Sequence, residues 1–209
     1  DYTPQALAVL AAAPDPIAEA EIQTQALTGR VTAIAQYIYL LERRGASRAT
    51  LDFWDRYARR FPGVTTARAN LALEAARSPI ERKAALDLFR QAIARGEASA
   101  GTQFAEALLD EAHVTPESQA EALRILLPLA DLGVGDAMAM LPQADPGKFP
   151  DLAAVQARFA QVIADRGDFD ALLLALPLIK DRTTYADYVS RATAITGCGA
   201  EVAGTAATA

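Results

Sequence analysis

The chain has 209 residues, 52% hydrophobic and 7% aromatic, long enough to bury a core and of a composition that fits an alanine- and leucine-rich helical protein. A net charge of -6 argues against a nucleic-acid partner, since phosphate neutralisation needs Lys and Arg in excess. One histidine, His113, and one cysteine, Cys198, exclude an intramolecular disulfide and any His/Cys metal cluster. No metal or other cofactor is expected, and no run reaches the roughly 18 apolar residues that a membrane span requires.

Taken in chain order, the 3.6-residue apolar periodicity predicts helices over 4–12, 16–28, 31–44, 48–61, 65–77, 79–95, 98–112, 116–132, 135–141, 151–165, 168–180 and 184–196. Four of them open on a cap residue followed by proline: Thr3-Pro4, Asp15-Pro16, Ser78-Pro79 and Thr115-Pro116. Ser78 and Glu81 also match a capping box. No segment alternates apolar and polar residues as a strand does, so the expected fold is all-α. Pro142, Pro146, Gly147 and Pro150 crowd one short segment, which predicts an irregular loop over 142–150. Beyond residue 197 only small residues without periodicity remain, and 198–209 reads as a flexible tail. The first residue, Asp1, reads as the start of a processed or excised product.

A longer period lies over these helices. Gly29/Ala33, Gly63/Ala67, Gly96/Ala100, Gly133/Ala137 and Gly167/Ala171 repeat one spacing, with the glycines 34, 33, 37 and 34 residues apart. Such a period marks a stack of helix pairs, in which each pair buries its apolar face on its neighbours. Each glycine is expected just past a helix end, in a left-handed conformation, and each alanine where two helices approach closely.

The segments from Ala92 to Phe104 and from Leu129 to Leu141 carry the pattern (Ala/Leu)-x-x-x-Gly-x-x-x-Ala-x-x-x-(Phe/Leu), and Gly29–Tyr37, Gly63–Leu71 and Gly167–Ala175 carry weaker forms. With these in register the chain resembles the tetratricopeptide superfamily and, within it, the Sel1-like repeats. The second glycine of the family pattern is replaced by Ile38, Ala72, Ala105, Pro142 and Leu176. The resemblance implies a right-handed α-solenoid of about six antiparallel hairpins over residues 1–197. It also implies a non-enzymatic adaptor that docks one or more proteins. Several bacterial members serve envelope processes, so the implied setting is the periplasm and an envelope secretion complex, such as one for exopolysaccharide (alginate) assembly and export.

Chemistry-bearing groups are sparse. His113 lies near a helix end without a nucleophile and orienting carboxylate in any recognisable pattern. Asp52 with Asp55, and Glu106 with Asp110 and Glu111, sit one turn apart, as solvated helix faces routinely place them. Gly133-Val134-Gly135 lacks both the preceding strand and the third glycine of a phosphate loop. The aromatic residues are more informative, because six of fourteen fall between Tyr37 and Phe61. Buried packing explains such a cluster, and so does a partner surface, where Tyr, Trp and Arg dominate interface energetics. The expected partner-binding residues are Phe53, Trp54, Arg56, Tyr57, Arg59 and Arg60, with Tyr37 and Tyr39 behind them. On the helix wheel Trp54, Tyr57 and Phe61 share a face and Phe53 points elsewhere. The alternative is a glycan-binding or glycan-active module built on Asp52, Asp55 and Trp54.

Overall fold

The computed structural model describes residues 2–196, and the expected tail over 198–209, with Cys198, lies outside the described residues. The described residues are helical and contain no strand. The helices are α1 (Pro4–Ala12), α2 (Pro16–Leu27), α3 (Val31–Arg43), α4 (Arg48–Ala58), α5 (Val64–Ala75), α6 (Pro79–Ala94), α7 (Ala100–Leu108), α8 (Pro116–Asp131), α9 (Gly135–Ala144), α10 (Leu152–Arg166), α11 (Phe169–Ala175) and α12 (Arg182–Thr196). A 3-10 turn, Leu176–Leu178, follows α11 where Pro177 interrupts the expected helix. The four predicted Pro-type starts hold, and Thr3, Asp15, Ser78 and Thr115 each accept a first-turn backbone N–H.

The chain divides into two compact units, Asp1–Phe104 and Ala105–Ala209. In the first, α3 is the central element, packed against α1, α2, α4 and α5. Every residue from Ala33 to Leu41 is buried, so α3 has no solvent face over that span, unlike the one-faced helices the periodicity predicts. Its one interior polar side chain, Gln36, donates to the Tyr2 carbonyl at 2.8 Å. Leu7, Leu10, Ile22, Ile34, Ile38 and Trp54 belong to the apolar core of this unit. Phe89 of α6 and Phe104 of α7, both fully buried, stack with centroids 5.8 Å apart.

In the second unit α9 packs on α8, α10 and α11, around Leu126, Met138, Leu141, Phe159 and Leu172. The loop expected over 142–150 is shorter than predicted, because α9 runs through Pro142 to Ala144. Burial of Leu141 and Ala144 outweighs the one donor that Pro142 removes. The rest of the segment is tied down, with Lys148 N–H on the Asp145 carboxylate at 3.0 Å and buried Phe149 stacked on Phe159 at 6.3 Å.

Most register residues take the expected roles; Gly167 does not, and Gly63 stands at the start of α5 instead of just past the end of α4. Ala33, Ala100, Ala137 and Ala171 are buried to 1% exposure or less, and Ala67 is half-buried. Gly29, Gly63, Gly96 and Gly133 have positive φ; Gly167 has φ -55° and caps α10 with an ordinary backbone. Its lack of a side chain serves packing instead, since a Cβ there would stand 2.8 Å from the Ile163 carbonyl oxygen. Polar side chains also span one repeat length within each unit. Arg44 reaches the Leu10 carbonyl across 34 residues, Tyr57 the Leu27 carbonyl across 30, Arg166 the Asp131 carbonyl across 35 and Arg191 the Ala164 carbonyl across 27.

Candidate interaction surface

Helix α4 starts at Ser47, whose hydroxyl accepts the Thr50 N–H, and it presents two different faces. The inner face carries Trp54, 3% exposed, against Tyr37 at 4.8 Å in an edge-to-face contact. Tyr57 meets Trp54 edge-on at 5.4 Å and Phe61 at 5.1 Å, and its hydroxyl donates to the Leu27 carbonyl at 2.8 Å. The outer face carries Phe53, 51% exposed, stacked on Tyr57 at 6.5 Å with the ring planes nearly parallel.

These positions sort the expected binding residues. Tyr37, Tyr39 and Trp54 are core residues, buried to 8% exposure or less; this agrees with the place behind the surface expected for Tyr37 and Tyr39, and sets Trp54 among them instead of at the surface. Burial holds the Tyr37 hydroxyl above its ordinary range, with Glu19 adding to the effect and Arg44 opposing it. Tyr39 lies beneath the Arg43 guanidinium, which sits 5.2 Å from the ring centre. Phe53, Arg56, Arg59 and Arg60 are exposed, and Tyr57 is half-buried beneath Phe53. Phe53 is less separate from the Trp54 face than expected, since its ring meets Trp54 edge-on at 5.7 Å as well as stacking on Tyr57.

Charge is distributed unevenly along the chain. Residues 1–104 carry thirteen Lys and Arg against eleven Asp and Glu, and residues 105–209 carry seven against fifteen. Around α4 the carboxylates are already used. Asp52 pairs with Arg48 at 3.0 Å, while Asp55 and Glu42 converge on Arg68 at 2.7 and 2.5 Å. Arg56, Arg59 and Arg60 have no ion-pair partner among the described residues. Of the residues considered for a sugar site, Asp52 and Asp55 are paired with Arg48 and Arg68, and the indole of Trp54 is covered by Tyr37, Phe53 and Tyr57. His113 pairs with Asp110 at 2.9 Å on the surface of the second unit, and among the described residues no group of His, Cys, Asp and Glu is placed to hold a metal.

Beside the C-terminal end of α4 lies a cleft of about 530 Å³, lined by Arg59, Phe61, Pro62, Thr65, Arg95 and Glu97 among others. Glu97 caps α5, accepting the backbone N–H groups of Thr65 at 3.2 Å and Thr66 at 2.8 Å and the Thr66 hydroxyl at 2.6 Å. Burial opposes charge on Glu97, but the hydrogen bonds from Thr66 and Thr65 outweigh it and hold the carboxyl below its ordinary value. Arg95 donates to the Thr65 hydroxyl at 2.6 Å. Asp168 does for α9 what Glu97 does for α5, accepting the Gly135 N–H at 3.0 Å across 33 residues. Sequence reasoning missed this cleft. The available signal was an acid directly after a register glycine, at Gly96-Glu97 and Gly167-Asp168.

Glu97→Gln is expected to cost about 1 kcal/mol at neutral pH, the usual worth of a charged helix cap. Because the folded value lies below the ordinary 4.5, the contribution is fully present above that pH and is lost as pH falls through the folded value. Thermal melts of both proteins should therefore differ near pH 7 and converge as pH falls through the folded value. A gap that stays constant over that range would show that the charge on Glu97 contributes nothing.

Comparison with protein-family models, with curated proteins and with solved structures found no match. No described helix is long and apolar enough to cross a membrane.

Proposed function

We propose that the chain is a non-enzymatic protein-interaction scaffold, a right-handed α-solenoid of Sel1-like type, working in a bacterial envelope complex such as one for exopolysaccharide assembly and export. The solenoid is supported by the glycine and alanine register and by side-chain hydrogen bonds that span 27 to 35 residues within each unit. The observation that carries the docking function is Phe53, half in water on a rigid aromatic base, beside three arginines that lack ion-pair partners. An aromatic anchor held in place loses little conformational entropy when a partner covers it, and arginine supplies several donors around it. Arg56 and Arg59 stand at the negative C-terminal end of α4, an interaction that uses none of their guanidinium donors, so these remain for recognition.

Affinity capture from a bacterial envelope extract, with bound proteins identified by mass spectrometry and the captured protein then titrated in pure form, tests this reading. Phe53→Ser/Arg56→Glu/Arg60→Glu is expected to weaken that binding by at least about tenfold, with helicity unchanged by circular dichroism. Equal affinity for the variant would remove the surface from the proposal.

A further inference from the structure

We infer that the cleft beside α4 receives an acidic segment of a partner protein, with a carboxylate held between Arg59 and Arg95 and an apolar side chain laid over Phe61 and Pro62. This rests on the docking reading above and specifies the chemistry of what docks. The cleft has a cationic part and an apolar part. Arg59 has no ion-pair partner among the described residues, and Arg95 makes one hydrogen bond, to Thr65, so most of its donors remain for a ligand. A guanidinium offers a planar set of N–H groups that matches a carboxylate better than any neutral acceptor. Phe61 and Pro62 supply the apolar wall.

Glu97 is the one acid in the lining, against two arginines. Both of its oxygens are engaged by Thr65 and Thr66 at the start of α5, where the positive helix end partly offsets its charge. Arg56 and Arg60 lie near the same end of α4 and extend the positive field. In a chain of net charge -6 this local excess is an exception, and it selects for an anion. A polypeptide carboxylate is favoured over a nucleic-acid backbone, because the cleft joins its charges to an apolar wall and its lining holds a single aromatic residue, Phe61, where a base-stacking groove uses several. The chain's overall negative charge would also repel a long polyanion.

The test is fluorescence anisotropy on the intact protein with a short fluorescein-labelled peptide of Asp, Glu and Leu. The controls are the same peptide with Asn and Gln in place of the acids, and a single-stranded oligodeoxythymidine. The acidic peptide should bind, weaken several-fold as salt is raised to physiological strength, and bind about tenfold more weakly to Arg59→Glu. Arg95→Gln should act in the same direction. It also removes the bond to Thr65, so Arg59→Glu, which loses no bond of the fold, decides if the Arg95 variant melts early. Equal binding of the amide peptide, equal binding to Arg59→Glu, or tighter binding of the oligonucleotide would overturn the inference. Sedimentation showing a dimer that Arg59→Glu abolishes would overturn it in favour of a second copy of this chain, docking through its acid-rich residues. If the peptide fails while Phe53→Ser/Arg56→Glu/Arg60→Glu still abolishes capture, the acidic-segment inference falls alone; if both fail, the docking surface falls with it.

Discussion

Gly135→Ala is expected to destabilise the Ala105–Ala209 unit by about 3 kcal/mol or more, lowering its thermal midpoint by about 10–20 °C. Helix propensity predicts the opposite sign, since alanine in place of glycine near a helix start gains up to about 1 kcal/mol. Geometry decides. A Cβ at Gly135 would stand 2.1 Å from the Ala171 amide nitrogen and 2.4 Å from the Asp170 carbonyl carbon. These are backbone atoms of the first turn of α11, and no rotamer change moves them aside. Shifting α9 to make room would also strain the bond from the Gly135 N–H to Asp168, which holds the two helix starts together. Gly63→Ala is the control. It has φ +93° but meets nothing closer than Val31 at 3.6 Å, so only left-handed strain of about 1–2 kcal/mol applies. Denaturant unfolding of both variants separates the effects. A Gly135→Ala protein as stable as the parent would show that the α9–α11 junction opens freely.

Gly135 also shows where sequence reading stops. The register glycines and alanines were legible because their spacing is regular, and four of the five glycines have the positive φ assigned to them. Gly135 lies outside that register, and its need for a missing Cβ arises from a chain segment more than thirty residues away. Gly167 carries the right letter for a different reason, close approach to the Ile163 carbonyl. The proline-led helix starts were legible because capping is local, satisfied within one turn. Pro142 was misread because local breaking power was weighed without the burial of Leu141 and Ala144 on either side. The complete burial of α3 was hidden as well. A run such as Ala33-Ile34-Ala35 followed by Tyr37-Ile38-Tyr39 suits a helix with neighbours on every side, but periodicity alone does not count neighbours. At the candidate site, the wheel separated Phe53 from Trp54 without saying which faced water. The Arg59 and Arg95 cleft needed the third dimension, because its two arginines come from different loops.

Trp54→Ala is expected to cost about 3–5 kcal/mol, the range for truncating a buried large aromatic, and to lower the stability of the Asp1–Phe104 unit accordingly. The indole is 3% exposed and in contact with Tyr37, Phe53 and Tyr57, so its removal leaves a void beneath the ring stack that supports Phe53. Phe53→Ser is the counterpart. Phe53 is 51% exposed and its loss should change stability by about 0.5 kcal/mol or less, while removing the aromatic anchor of the proposed docking surface. The pair therefore divides one aromatic cluster into a part buried in the fold and a part proposed to bind. Urea unfolding followed by circular dichroism reads the first effect, and titration with the captured partner reads the second. Trp54→Phe, which keeps most of the packing, should restore stability and binding together, because on this account Trp54 reaches a partner only through the rings it supports. A Trp54→Ala protein that unfolds at the parental urea concentration yet no longer binds would make Trp54 itself a contact, and would require α4 to turn its buried face outward when a partner docks.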